Sequence, residues 1–176
     1  MMLFSENYEM YYKKKVEYKT GKVIGIECQP RYKIDSGITL SSKFFINDIY
    51  STNKNHEMFL FTLKESIKHL KNINSSLRVY ISVRIQDIVI NDLVKAIQFQ
   101  CTKSSFPTNY IVLQLDDLSL SEGNDELLVK INDLKNIGVN ILIGGSTYNS
   151  IYRYYIHYYR LTTKLKYLCH SLIQRQ

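Results

Sequence analysis

Residues able to do chemistry are most concentrated between positions 152 and 166. Tyr152-Arg153-Tyr154-Tyr155-Ile156-His157-Tyr158-Tyr159-Arg160, followed by Lys164 and Lys166, interleaves aromatic and cationic side chains. Bases stack on tyrosines, and protein interfaces favour Tyr and Arg. At helical spacing, Tyr152, Tyr155 and Tyr159 share one face that can simply pack on a sheet, leaving Arg153 and Arg160 in water. Plain packing, a protein interface and a nucleic-acid surface are all open for this segment. Elsewhere, Lys13-Lys14-Lys15 reads as an exposed strand edge, where lysines discourage unwanted pairing. Cys28, Cys101 and Cys169 are odd in number and widely separated, which predicts reduced thiols rather than a zinc or disulfide framework. His56, His69, His157 and His170 lack metal-ligand spacing, and no phosphate-cradling glycine loop or nucleophile motif is present.

The 176 residues, 45% apolar and 22% charged, suffice for one domain with a core. A net charge of +7 favours acidic partners such as nucleotides, nucleic acid or an acidic protein face. The first residues, Met1-Met2-Leu3-Phe4-Ser5-Glu6-Asn7, lack the pattern of a signal peptide, and no apolar run approaches the roughly 20 residues of a membrane helix. A cytoplasmic protein with no membrane partner is the expectation.

The elements that must position these residues alternate between strand and helix. Residues 9–16 and 22–28 flank Lys19-Thr20-Gly21 and predict a β-hairpin. Ser41 or Ser42 is placed to cap a short helix through Phe44, Phe45, Ile46 and Ile49, and Met58, Phe59, Leu63, Ile67 and Leu70 recur at the spacing of a longer one. Residues 77–83 alternate as a strand, Asn91 can cap a helix through Leu93, Val94 and Ile97, and the apolar run 110–115 after Pro107 predicts a buried strand. A helix over 124–136 closed by Gly138, a strand over 139–143, a Tyr-rich helix near 148–160 and a short strand near 164–168 complete the pattern. This alternation predicts an α/β fold with a mainly parallel sheet or barrel. With two prolines and no Ser- or Gly-rich tract, residues 1–176 read as a single domain.

The stretch Lys19-Thr20-Gly21-Lys22-Val23-Ile24-Gly25-Ile26-Glu27-Cys28-Gln29-Pro30-Arg31-Tyr32 resembles the opening hairpin and signature strand of an EAL domain, with two signature letters changed. Leu40-Ser41-Ser42-Lys43-Phe44-Phe45-Ile46 is similar to the family's following segment, and Ile81-Ser82-Val83-Arg84-Ile85 to its Ser-Val-Asn-Leu motif. Leu113-Gln114-Leu115-Asp116-Asp117 falls where the family has Leu-Glu-Ile-Thr-Glu, and Leu142-Ile143-Gly144-Gly145-Ser146 where it has Leu-Asp-Asp-Phe-Gly. The resemblance covers nearly the whole chain. It implies a TIM-type barrel that begins with a β-hairpin and carries its site at the strand ends. There, carboxylates and one Asn hold two divalent cations that activate water against cyclic di-GMP. Because the sequence stops at Gln176, about where the family carries further elements, the barrel is expected to be incomplete or open, with its edge covered by a second copy or another protein.

By this resemblance Glu27 keeps the first metal ligand, Arg31 aligns with the arginine that contacts substrate phosphate, and Lys166 matches a strand-borne lysine. Arg84 stands in place of the metal-binding Asn, Gln114 in place of a ligating Glu, and Gly144 and Gly145 in place of the paired aspartates. Asp116 and Asp117 do not restore a two-metal centre. The resemblance thus implies a lost phosphodiesterase site, no cofactor, and a Glu27 held in an ion pair with Arg84 or Lys166. The expected protein is a non-enzymatic, degenerate EAL-like regulator acting on a transcription regulator or signalling protein, with a homodimer as a further form. Its nominated interface is Tyr152, Arg153, Tyr155, Tyr159 and Arg160. The alternative is a non-hydrolysing cyclic di-GMP receptor using Glu27, Arg31 and Lys166, and the second alternative a nucleic-acid-binding protein using the Tyr-rich segment.

Overall fold

The computed structural model describes residues 7–17, 19–34, 37–73, 76–115, 125–143 and 154–155. Strands β1 (Tyr8–Val16) and β2 (Val23–Lys33) form the expected antiparallel hairpin. Gly21 turns the chain at φ +67°, a backbone region that glycine enters without a Cβ clash. β2 extends beyond the expected end at residue 28, because its two halves serve different partners. Residues 25–27 pair in parallel with β4 (Arg78–Val83), whereas residues 31–33 pair with the short antiparallel β3 (Thr39–Ser41). Strand β3 is a correction to the sequence reading. Ser41 ends this strand and precedes a 3-10 turn at Ser42–Phe44 with no side-chain cap, instead of capping a helix.

Helices α1 (Ile46–Ser51) and α2 (Asn55–Asn72) follow, and α2 buries Met58, Phe59, Leu63, Ile67 and Leu70 as the 3.6-residue spacing predicts. After β4, the short α3 (Ile85–Ile90) is a helix that the sequence reading did not anticipate. The cap of α4 (Leu93–Ser104) is Asp92 rather than Asn91, its Oδ1 accepting the Lys95 N–H at 3.1 Å. Strand β5 (Ile111–Leu115) is buried throughout, and α5 (Asp125–Asn136) ends before Gly138 at φ +93°. Strand β6 (Asn140–Ile143) then pairs antiparallel with β7 (Tyr154–Tyr155). That pairing corrects the expected helix at positions 154 and 155. Tyrosine fits a pleated strand well, and the β6 edge supplies backbone partners that local spacing does not reveal.

The sheet order is β1-β2-β4-β5-β6-β7, with β3 on the far half of β2. Strands β2, β4, β5 and β6 run parallel, so the architecture is the mixed, parallel-rich α/β sheet that was expected, and it is open among the described residues. Strand alternation divides its two faces. Ile26, Cys28, Val79, Ile81, Val83, Leu113 and Ile141 pack with helix residues such as Leu63, Ile67, Ile97 and Leu127. Tyr80, Val112 and Leu142 cluster separately. Glu27, Gln29 and Arg31 alternate with Ile26 and Cys28 and therefore share the Tyr80 face.

Candidate functional site

A cavity of about 780 Å³ lies at the carboxyl ends of β2 and β4. In parallel α/β sheets, these ends are where connecting loops can gather side chains around a ligand. Its walls include Glu27, Gln29 and Arg31 from β2, Ser42 and Lys43 after β3, Tyr50 and Asn55 from the first helices, and Ser82, Arg84 and Asp87 around the end of β4.

The β2 residues form a polar chain along one strand face. Glu27 Oε2 lies 2.6 Å from Lys15 Nζ, and its Oε1 accepts a 3.4 Å hydrogen bond from Gln29 Nε2. Gln29 Oε1 in turn accepts from the Arg31 guanidinium at 3.2 Å, and that guanidinium lies 5.4 Å from the centroid of the Tyr11 ring. Burial alone would push the Glu27 carboxyl up, but the hydrogen bond and charge of Lys15, with help from Gln29 and Lys13, hold it below its ordinary value. Two expectations are corrected here. Lys15 is buried rather than part of an exposed lysine edge, and it is Lys15, not Arg84, that pairs with Glu27.

Arg84 follows the end of β4. Its guanidinium stacks 3.6 Å from the Tyr50 ring centroid and donates to Asn47 Oδ1 at 3.5 Å. Beneath it, the buried Asp87 accepts from the Tyr50 hydroxyl at 2.6 Å, from the Asn55 side-chain amide and from the Arg84 backbone N–H at 3.2 Å. This network ties α1, α2 and the start of α3 to the end of β4. Gln114 Nε2 reaches Ser82 Oγ at 3.4 Å across the β4–β5 ladder. Cys28 and Cys101 are free and buried, as expected of reduced thiols, and burial pushes them up to about 12 and about 11, away from nucleophilic chemistry. Lys166, Cys169, the side chains of the 152–160 segment, and Asp116, Asp117, Gly144 and Gly145 lie outside the described residues.

Sequence reasoning brought Glu27 and Arg31 to this site but missed Lys15, Tyr50, Asn55 and Asp87. For Lys15 a signal existed in the hairpin register, which sets a lysine opposite Gly25, two residues before Glu27. The Asp87 network had none, because its members come from three separate elements.

The family model of the EAL domain matches residues 2–162. This chain belongs to the EAL domain family. Solved structures alike in fold include PaMucR phosphodiesterase in its c-di-GMP complex, with a TM-score of 0.72 and 18% identity, where the alignment covers 83% of this chain and 62% of that one. An EAL domain protein from Listeria monocytogenes EGD-e has a TM-score of 0.60 and 22% identity, with 79% and 55% covered. The Xanthomonas citri FimX EAL domain in complex with c-diGMP has a TM-score of 0.66 and 9% identity, with 78% and 54% covered. The chain thus spans 54–62% of the length of these three structures. No curated protein matches it in sequence.

Membership corrects the expectation that the chain is not an enzyme. The family model spans nearly all of this EAL domain, and the folds it resembles include a phosphodiesterase and the EAL enzyme Bd1971. Metal fit is a separate matter. Among the described residues, no three His, Cys, Asp or Glu side chains gather as a metal-holding group, and the Glu27 carboxylate already carries an ammonium. The described donors of this EAL domain therefore do not fit a divalent pair. Among the same residues, no helix is long and apolar enough to cross a membrane.

Proposed function

We propose that this EAL domain binds cyclic di-GMP in the cavity at the ends of β2 and β4. The observation that carries the reading is the placement of Arg31, Lys43 and Arg84 on the wall of one 780 Å³ cavity. A guanidinium offers five N–H donors in a fixed fork suited to phosphate oxygens. Gln29 takes one donor of Arg31 and fixes the direction of the rest. Tyr50 and Asn47 orient Arg84 in the same way at the end of β4. The three cationic groups match a ligand with two phosphodiesters.

Calorimetric titration of the full chain with cyclic di-GMP in the presence of Mg²⁺ tests this reading, and chromatography of the recovered nucleotide reads any turnover directly. Binding that weakens by roughly tenfold or more in Arg31→Ala is expected, as for loss of a charge-assisted phosphate contact. No heat, or unchanged affinity in Arg31→Ala, would overturn it.

Action on a regulatory protein is a second reading. It is favoured by Ile38 and Phe44, 59% and 64% exposed on either side of the short edge strand β3 at the pocket rim. Sedimentation of the full chain with and without cyclic di-GMP tests the simplest partner, a second copy.

A further inference from the structure

We propose that the Lys15 ammonium stands in place of a divalent cation beside Glu27, so that the pocket accepts its phosphodiester ligand without metal. The ligand class rests on the cyclic di-GMP reading above, whereas the cation placement stands on its own geometry. Lys15 follows two exposed lysines, yet only 9% of it is exposed. Three features hold it there. Its Nζ is 2.6 Å from Glu27 Oε2 and 5.6 Å from the centroid of the Tyr80 ring. Its cross-strand partner is Gly25, and a Cβ at Gly25 would run into the Tyr80 ring and come within 2.5 Å of the Arg78 carbonyl oxygen. The missing side chain therefore leaves room for the ring against which the ammonium rests. The hairpin register also shifts between Lys15 and Val16, an irregularity of the kind that re-aims a strand side chain.

The chemical consequence follows from charge. A carboxylate facing a phosphodiester repels it unless a cation stands between them or beside them. In a metal-loaded site that cation is an ion with several oxygen ligands. Here, Glu27 is neutralised by a group of the chain itself, and the same strand face continues through Gln29 to the Arg31 guanidinium. A divalent ion at Glu27 would have to displace the ammonium, and among the described residues no three or more His, Cys, Asp or Glu side chains gather to hold one. Lys15 is thus assigned as a positioning residue for the anionic ligand.

The test compares cyclic di-GMP titrations of the wild-type full chain in EDTA and in Mn²⁺, alongside a Mn²⁺ titration without nucleotide read by the electron paramagnetic resonance of the free ion. Equal affinity in both buffers and an undiminished free Mn²⁺ signal are expected. Binding lost in EDTA, or Mn²⁺ uptake that disappears in Glu27→Gln, would overturn the proposal. Lys15→Met keeps the length of the stem and is expected to weaken nucleotide binding roughly tenfold, with recovery in the Lys15→Met/Glu27→Gln double variant. A folded Lys15→Met protein with unchanged affinity would also overturn it. If Lys15→Met does not fold, the wild-type measurements still decide. If no nucleotide binds in either buffer, the cyclic di-GMP reading fails, and the Mn²⁺ titration alone judges the cation placement.

Discussion

Glu27 and Asp87 line the same cavity, yet the fold treats their charges in opposite ways. Glu27 sits mid-strand and is balanced by a full countercharge, Lys15. Asp87 sits in the first turn of α3 and is held by three donors, the Tyr50 hydroxyl, the Asn55 amide and the Arg84 backbone N–H, with the Arg84 guanidinium turned instead onto the Tyr50 ring. Loss of one partner leaves Glu27 with an uncompensated charge. At Asp87 the same kind of loss removes one of several hydrogen bonds. The pocket thus has a wall organised by charge pairing and a wall organised by hydrogen bonding, and the two should fail differently.

The largest effect should come from Lys15→Ala, which leaves the Glu27 carboxylate without its countercharge in a largely buried setting. A loss of about 3 kcal/mol in urea denaturation is expected, near the lower end for breaking a buried pair because the Glu27 side chain keeps 20% exposure. Gly25→Ala should follow at roughly 2 kcal/mol, since the added methyl overlaps the Tyr80 ring and the Arg78 carbonyl; a thermal melt within a degree of wild type would refute the close approach. On the hydrogen-bonded wall, Tyr50→Phe removes one donor from Asp87 while keeping a ring under Arg84, and about 1 kcal/mol is expected by the same denaturation measurement. If Tyr50→Phe costs as much as Lys15→Ala, the contrast between the two walls is wrong.

The smallest effect is in pH dependence. Glu27 is held below its ordinary value of 4.5 in the folded chain, so its contribution is complete above the unfolded value and is lost as pH falls from about 4.5 through the lower folded value. Urea midpoints measured from pH 6 downward should therefore drop less steeply below that point in Glu27→Gln than in wild type. Identical profiles would show that the Lys15 pair contributes nothing to acid sensitivity.

Much of the scaffold was legible because it depends on local periodicity. The α2 spacing from Met58 to Leu70, the apolar run of β5 and the glycine stops at Gly21 and Gly138 each report backbone geometry from neighbours within a few residues. Glu27 and Arg31 were legible for a different reason, the resemblance of their strand to the EAL signature, and alternation along β2 puts them on one face. Strand β3, the strand pairing of Tyr154–Tyr155 and the helix α3 were not, because each depends on a partner or an end contact supplied from elsewhere in the chain.

The sequence by itself determined an α/β chain of EAL type, the order of most of its strands and helices, and the presence of an acid and an arginine four residues apart on the signature strand. Only the tertiary structure decided which cation meets that acid. Register across the hairpin set Lys15 against Gly25, the absent Cβ admitted the Tyr80 ring from a strand more than fifty residues away, and the Tyr50 ring took the Arg84 guanidinium. Charge partners in a sheet are chosen by distances through space, and a lysine run reads the same in sequence whether its last member faces water or a half-buried carboxylate.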